Sequence, residues 1–248
     1  MARAAGDVTT LIFNLRQLGN AFSLHAPAEG LPYLKESVEL ARSHGDRYAE
    51  GHGLNSVAIA YSLQGDFAKA EETYLRGLEL NRTIKNRVSE SMILGNLSGL
   101  HSFLGQLDRA EIEARDAMAI AKELGSSPLR MNAEMVLADV SLRSHRNADA
   151  RSWIRAATHS MREIGTRPTV IPMLYGVLRT REGDRATGLR WIGFTRANDQ
   201  NTKENEIFLK GIMDEVRGDW TEEQVEAAMR EGETLNLDEI LAEAEKAG

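Results

Sequence analysis

The chain has 248 residues, 42% hydrophobic and 27% charged, with only five Pro and a formal net charge of −7. It has no Cys, which excludes disulfides, thiol nucleophiles and Cys-ligated zinc. No apolar run reaches the length of a membrane span, and Met1 to Thr10 lacks the hydrophobic core of a signal peptide, so a cytoplasmic protein with no membrane partner is expected.

In chain order, the first predicted helix carries Leu18-Gly19 followed by Phe22, and the second carries Gly30, Leu34 and Ser37. Pro27 stands in the turn between them, and Phe22 to Gly30 is one residue shorter than the matching Tyr61 to Ala70. Such irregularity is common in a terminal repeat. The chain then repeats at an offset of 40. First helices bring Val57-Ala58 with Tyr61, Leu97-Ser98 with His101, Leu137-Ala138 with Ser141, and Tyr175-Gly176. Second helices bring Ala70, Ala110 and Ala150, then Tyr74, Ala114 and Ile154, then Gly77, Ala117 and Ala157. Turns fall at Gln64-Gly65-Asp66-Phe67, Leu104-Gly105-Gln106-Leu107 and Glu182-Gly183-Asp184, and Leu124-Gly125 and Ile164-Gly165 carry glycine at the end of a helix.

After Asn198 the pattern changes. Lys203 to Val216 reads as one more helix, and Trp220 precedes two short ones separated at Gly232. Thr221 with Gln224, and Asn236 with Glu239, have capping-box spacing.

Small residues recur because two antiparallel helices approach closely only where side chains are small. Apolar positions three and four apart, as in Leu94, Leu97 and Leu100, make each helix one-sided, so neighbours must stack to bury it. The expected fold is all-α: a right-handed α-solenoid of about five antiparallel helix pairs over residues 1–198, with an acidic C-terminal helical cap over residues 199–248. HEAT-type repeats, with a similar period, are the structural alternative; they lack this small-residue crossing.

The small crossing residues, the aromatic three positions on and the second-helix alanines resemble the tetratricopeptide repeat, whose usual unit is about 34 residues. The longer unit resembles the elongated variant in the helical regions of the maltose-regulon activator type of bacterial regulator and related signal-transduction ATPases. The phrases that carry this are His44-Gly45-Asp46-Arg47-Tyr48-Ala49 and Ala60-Tyr61-Ser62-Leu63-Gln64-Gly65-Asp66, and the resemblance covers residues 11–195. The stretch from Val225 to Glu239 is similar to the closing segment of the same proteins. The resemblance implies a protein- or ligand-binding sensor at the C-terminal end of a larger signalling protein. It also implies that first helices line a concave face. Carried across, the inward positions are Arg16, Asn20, His52, Asn55, Ser62, Ser102, Asn132, Asp139, Arg143 and Arg181. Asn can clamp a peptide backbone and Arg can fork a carboxylate, which singles out Asn55, Asn132 and Arg143. Exposed helix positions are polar in any case, and Met92, Met131 and Met135, a soft patch on one reading, are core on the other.

Charge is uneven. From Arg143 to Arg196 there are eleven Arg and four acids; from Asp199 onward there are fifteen acids and five bases. The Arg-rich helices could seat an acidic peptide, a phosphate or nucleic acid. The favoured reading is plainer: solvated helix faces neutralised in part by the acidic tail folding back. Nucleic acid is disfavoured, since the pI is near 5.5 and no recognition motif accompanies the arginines.

No catalytic motif is found: there is no His-Glu-x-x-His, no Walker-type Gly-Lys-Ser/Thr and no nucleophile elbow. The six histidines fall in different units, and His25 and His145 occupy equivalent turns, as a structural role predicts. A non-enzyme with no cofactor or metal is expected. Its partner would be a protein or peptide, including an acidic one, or upstream domains of the same polypeptide. A free-standing adaptor binding a peptide in its groove is the alternative.

Overall fold

The computed structural model describes residues 7–23, 25–198, 209 and 212–246, and all regular structure among them is helical. Five helix pairs come first: α1 (Val8–Ser23) with α2 (Pro27–His44), α3 (Arg47–Leu63) with α4 (Phe67–Thr83), α5 (Arg87–Phe103) with α6 (Leu107–Glu123), α7 (Ser127–Arg143) with α8 (Asn147–Ile164), and α9 (Val170–Arg181) with α10 (Arg185–Asn198). Three short helices follow, α11 (Met213–Arg217), α12 (Glu222–Gly232) and α13 (Leu237–Lys246). The chain is an all-α solenoid of adjacent helix pairs, as the repeat pattern predicts. Of the helix expected over Lys203 to Val216, residues 203–208, 210 and 211 lie outside the described residues, and α11 covers its end.

One turn chemistry closes every helix from α2 to α9. A residue with positive φ recurs at intervals of 20 positions: Gly45, Gly65, Lys85, Gly105, Gly125, His145 and Gly165, with Gly183 in the shorter last pair. The amide after each reaches back five residues, from Asp46 to Ala41 through Asp184 to Arg179, at 2.8–3.3 Å. That bond and the left-handed residue make up a Schellman-type stop. Except after Gly165, where α9 starts only at Val170, the residue that ends one helix is followed at once by one that starts the next. Asp46 accepts from the Ala49 amide at 2.9 Å, Asp66 from Lys69 at 3.4 Å, Asn86 from Ser89 at 3.3 Å and Asp184 from Thr187 at 3.3 Å. Lys85 and His145 hold the left-handed conformation without being glycine (φ 57° and 55°).

The chain forms two compact units, Met1–Leu100 and His101–Gly248. In the first, Leu34, Val38, Leu54, Val57, Ala60 and Leu80 form the core. Its helices cross on small residues: a Cβ on Gly30 would stand 2.5 Å from the Gly19 carbonyl oxygen, and Ala58 and Ala70 are wholly buried. A buried carboxylate clamps each successive repeat. Glu50 accepts from Arg42 at 2.8 Å and Arg47 at 3.1 Å, and 40 residues on Glu90 accepts from Arg82 at 2.9 Å and Arg87 at 2.5 Å.

In the second unit the same place holds a cation: Arg130 pairs with Glu163 and donates to Ser160 at 3.3 Å. Its core runs from Ala138 through the last pair into the cap, joining Tyr175, Trp191, Ile192, Val225, Met229, Ile240 and Leu241. Tyr175 and Trp191 meet edge to face at 6.3 Å. Helix α12 lies backbone to backbone on α10: a Cβ on Gly232 would fall 1.8 Å from the Arg190 carbonyl oxygen, and one on Gly193 2.0 Å from that of Met229. Thr221 and Gln224 form the expected capping box at its start. Asn236 caps α13 one residue short of the expected spacing, accepting from the Asp238 amide at 2.8 Å.

Candidate functional site

All ten residues carried over from the sequence lie on first helices of their pairs, and the structure divides them between the two units. In the first, Arg16 and Asn20 stand on α1 and His52, Asn55 and Ser62 on α3, each half-buried. Arg16 stacks over Phe13, its guanidinium carbon 5.6 Å from the ring centroid. Burial, reinforced by the positive charge of Arg16, holds the His52 imidazole below its ordinary value. Asn55 accepts from the Asn96 amide at 2.9 Å, which leaves its own NH2 as a donor. Asn20 makes no side-chain hydrogen bond among the described residues, and the Ser62 hydroxyl is buried with no hydrogen-bond partner among them.

In the second unit Ser102 on α5, Asp139 and Arg143 on α7 form one internal chain. Ser102 donates to Asp139 at 2.6 Å, and Arg143 donates to the other carboxylate oxygen at 2.8 Å. Burial pushes the Asp139 carboxyl up, against the pull of Arg143 and Ser102. Their polar atoms serve one another and hold the α5 and α7 helix ends in register. Asn132, two and three turns earlier on the same helix, is half-buried and makes no side-chain hydrogen bond among the described residues. Of the methionines, Met131 and Met135 pack partly buried on the second-unit core, while Met92 of the first unit is 37% exposed.

Arg181, the last of the ten, belongs to a different constellation. It lines an open polar pocket of about 370 Å3 with His145, Asn147, Thr180, Arg185 and Glu215, gathered from the α7–α8 turn and the start of α8, the end of α9, the start of α10 and α11. The Arg181 side chain is 7% exposed. Its Nη1 donates to the Leu142 carbonyl and to Asn147 Oδ1 at 3.4 Å; its Nε and Nη2 grip the two Glu215 oxygens at 2.5 and 2.9 Å. Arg185 donates to the Val216 carbonyl at 3.1 Å and to Asp219 at 2.8 Å. Arg181 beside it, with His145 adding to the effect, holds the Glu215 carboxyl below its ordinary value. His145, Asn147, Arg185 and Glu215 are absent from the sequence-based set. Their signal is the opposition between an Arg-rich stretch and an acidic tail, which gives the sign of the contact and not its members.

That opposition is resolved largely inside the molecule. Arg167 meets Asp238 at 2.6 Å, Arg181 meets Glu215, Arg185 meets Asp219, and Arg196 forks Glu226 at 2.8 and 3.1 Å. The acidic tail thus folds back on the Arg-rich helices. Among the described residues no three His, Asp or Glu side chains converge to hold a metal ion, and no helix is long and apolar enough to cross a membrane.

Neither a family model nor a curated protein matches the sequence. The fold is similar to that of a signal transduction ATPase with numerous domains, carrying a tetratricopeptide repeat sensor, from Pyrococcus horikoshii. The TM-score is 0.55 at 16% identity, over 97% of this chain and 36% of that one. At this identity the likeness is one of fold, and the chain spans about a third of that protein's length.

Proposed function

We propose that this chain is the sensor region of a larger signalling ATPase or transcriptional regulator, binding a protein or ligand on the polar residues of its first helices. The observation that carries the reading is the order of parts. Stacked helix pairs run into a docked helical cap, and nearly the whole chain, 97%, aligns with a much longer protein whose repeats are described as a sensor. The fold alone supports many binding roles, so the order of parts carries more weight than the repeats. Asn20, Asn55 and Asn132 supply amide donors that the described structure leaves unused, as recognition of a backbone or polar ligand requires. Arg143 is a weaker candidate than the sequence suggests, because it neutralises the buried Asp139.

The reading frame that encodes this chain tests the module: it should also encode a nucleotide-binding ATPase domain on the N-terminal side. A frame holding this chain alone overturns the reading and leaves the free-standing peptide adaptor. The surface is tested separately, by comparing partners retained from source cells by the wild type and by Asn55→Ala with Asn132→Ala. Loss of the partner at unchanged melting temperature is expected; an unchanged partner set removes these two residues from the site.

A further inference from the structure

The pocket around Arg181 is built as an anion seat, and its present occupant is a side chain of the protein itself. The Leu142 carbonyl and Asn147 fix the guanidinium of Arg181 from behind, so that its Nε/Nη2 edge is aimed outward at Glu215. Asn147 accepts from Arg181 through Oδ1 and keeps its NH2 as a donor. The Thr180 hydroxyl donates inward to the Val177 carbonyl at 2.7 Å and so contributes shape rather than a donor. Arg185 and His145 complete the lining. His145 stands at a left-handed turn position where the two preceding equivalent turns have Gly65 and Gly105, so a side chain is carried there against the conformational preference of an L-residue.

The charge in the lining is out of balance. Two guanidiniums face one carboxylate, that of Glu215, whose side chain is 40% exposed and comes from a five-residue helix. Asp219, which also pairs with Arg185, is 87% exposed and lies outside the lining, where water screens it. A carboxylate is planar and engages one edge of Arg181. A phosphate group carries about two negative charges near neutral pH and presents three acceptor oxygens, which suits donors arranged on several sides. The volume, about 370 Å3, is within the range of small-ligand pockets.

We infer that this pocket binds the phosphate group of a small ligand, which takes the Nε/Nη2 edge of Arg181 in place of Glu215 and is held further by Arg185, His145 and Asn147. Ligand binding and the docking of α11 on the end of α9 are then mutually exclusive at Arg181. This site goes beyond the sensor reading above and stands or falls independently of the larger protein that reading requires.

The test is calorimetric titration of the full 248-residue chain with inorganic phosphate and, in a second arm, glycerol phosphate, at constant ionic strength against a chloride control. The arm that binds more tightly tells free phosphate from a phosphate ester. Glu215→Gln, which removes the internal competitor, should tighten phosphate binding about tenfold, and Arg185→Gln should weaken it about tenfold in protein whose far-ultraviolet circular dichroism matches the wild type. Arg181 is left intact because its side chain is far more buried than that of Arg185 and it holds the Leu142 carbonyl from within. Phosphate binding no stronger than chloride, or a Glu215→Gln variant that binds phosphate no better than the wild type, overturns the proposal.

Discussion

The repeats around α3 to α5 and the junction of α10 with α12 bury helix against helix by different means. In the first region contacts recur: Glu50 and Glu90 each sit between two arginines, and the Cβ of an alanine at Gly77 would lie a tight but adjustable 3.1 Å from Ile93. At the second, Gly193 and Gly232 bring backbones together with no clearance, and Trp191 on α10 is buried against Tyr175. The difference teaches what an end requires. An interior repeat faces copies of itself, so one solution can serve again 40 positions on, as it does at Glu50 and Glu90. The last pair faces something that is not a repeat, and needs an interface made once.

Substitutions at glycine test that contrast most severely. Gly232→Ala places a Cβ 1.8 Å from the Arg190 carbonyl oxygen and should lower unfolding free energy by about 3 kcal/mol in urea denaturation. Gly99→Ala, in α5 with open space around it, should instead stabilise by about 0.5–1 kcal/mol through helix propensity. Equal effects at the two positions would erase the distinction between a made-once seam and a tolerant repeat.

The next largest effect is expected at the recurring clamp. Glu90→Ala leaves Arg82 and Arg87 without their shared carboxylate and should cost about 2 kcal/mol, less than for a fully buried pair because both arginines are more than a third exposed. Glu50→Ala should cost a similar amount, since Glu50 lies between Arg42 and Arg47 in the same way. A large disparity between the two variants would show that the repeats are alike in shape but not in energy.

Acid should separate the regions more gently. Arg181 holds Glu215 below its ordinary carboxyl value, and Arg196 holds Glu226 there. Each therefore contributes stability that is complete above about pH 4.5, the unfolded value, and is lost as pH falls through the depressed folded one. Asp139, raised by burial, has the opposite sign: its contribution is present below about pH 3.8 and is lost as pH rises through the folded value. Acid titration followed by tryptophan fluorescence should show Trp220 and the cap loosening first, and Glu226→Gln should flatten that acid limb.

The smallest effect concerns the turns. Lys85→Gly should stabilise by about 0.5–1 kcal/mol, measured as a shift of the urea midpoint, because glycine takes the left-handed φ of 57° without penalty. His145→Gly should gain a similar amount and, on the inference above, lose phosphate affinity.

Much of the fold is legible in the residues themselves. Gly65-Asp66 stops one helix and starts the next, Ala58 and Ala70 announce a crossing, and Thr221 with Gln224 marks the start of α12; each acts within one turn of its own position. The candidate site is legible only in part. Helix periodicity puts Asp139 and Arg143 on the same face as Asn132, but only burial and Ser102 reveal that the first two serve each other.

What the sequence determined by itself was local and repetitive: helix pairs, their period, their turns and the sign of the charge on either side of Asn198. The tertiary structure decided the rest, namely which arginine meets which acid, where Gly232 meets Arg190, and that Arg181, His145 and Glu215 line one pocket. Helix and turn signals depend on neighbours three to five positions away, so a single chain displays them. The ion pairs of the cap join residues 30 to 71 positions apart, and such partners are chosen only when the packed helices bring them within reach.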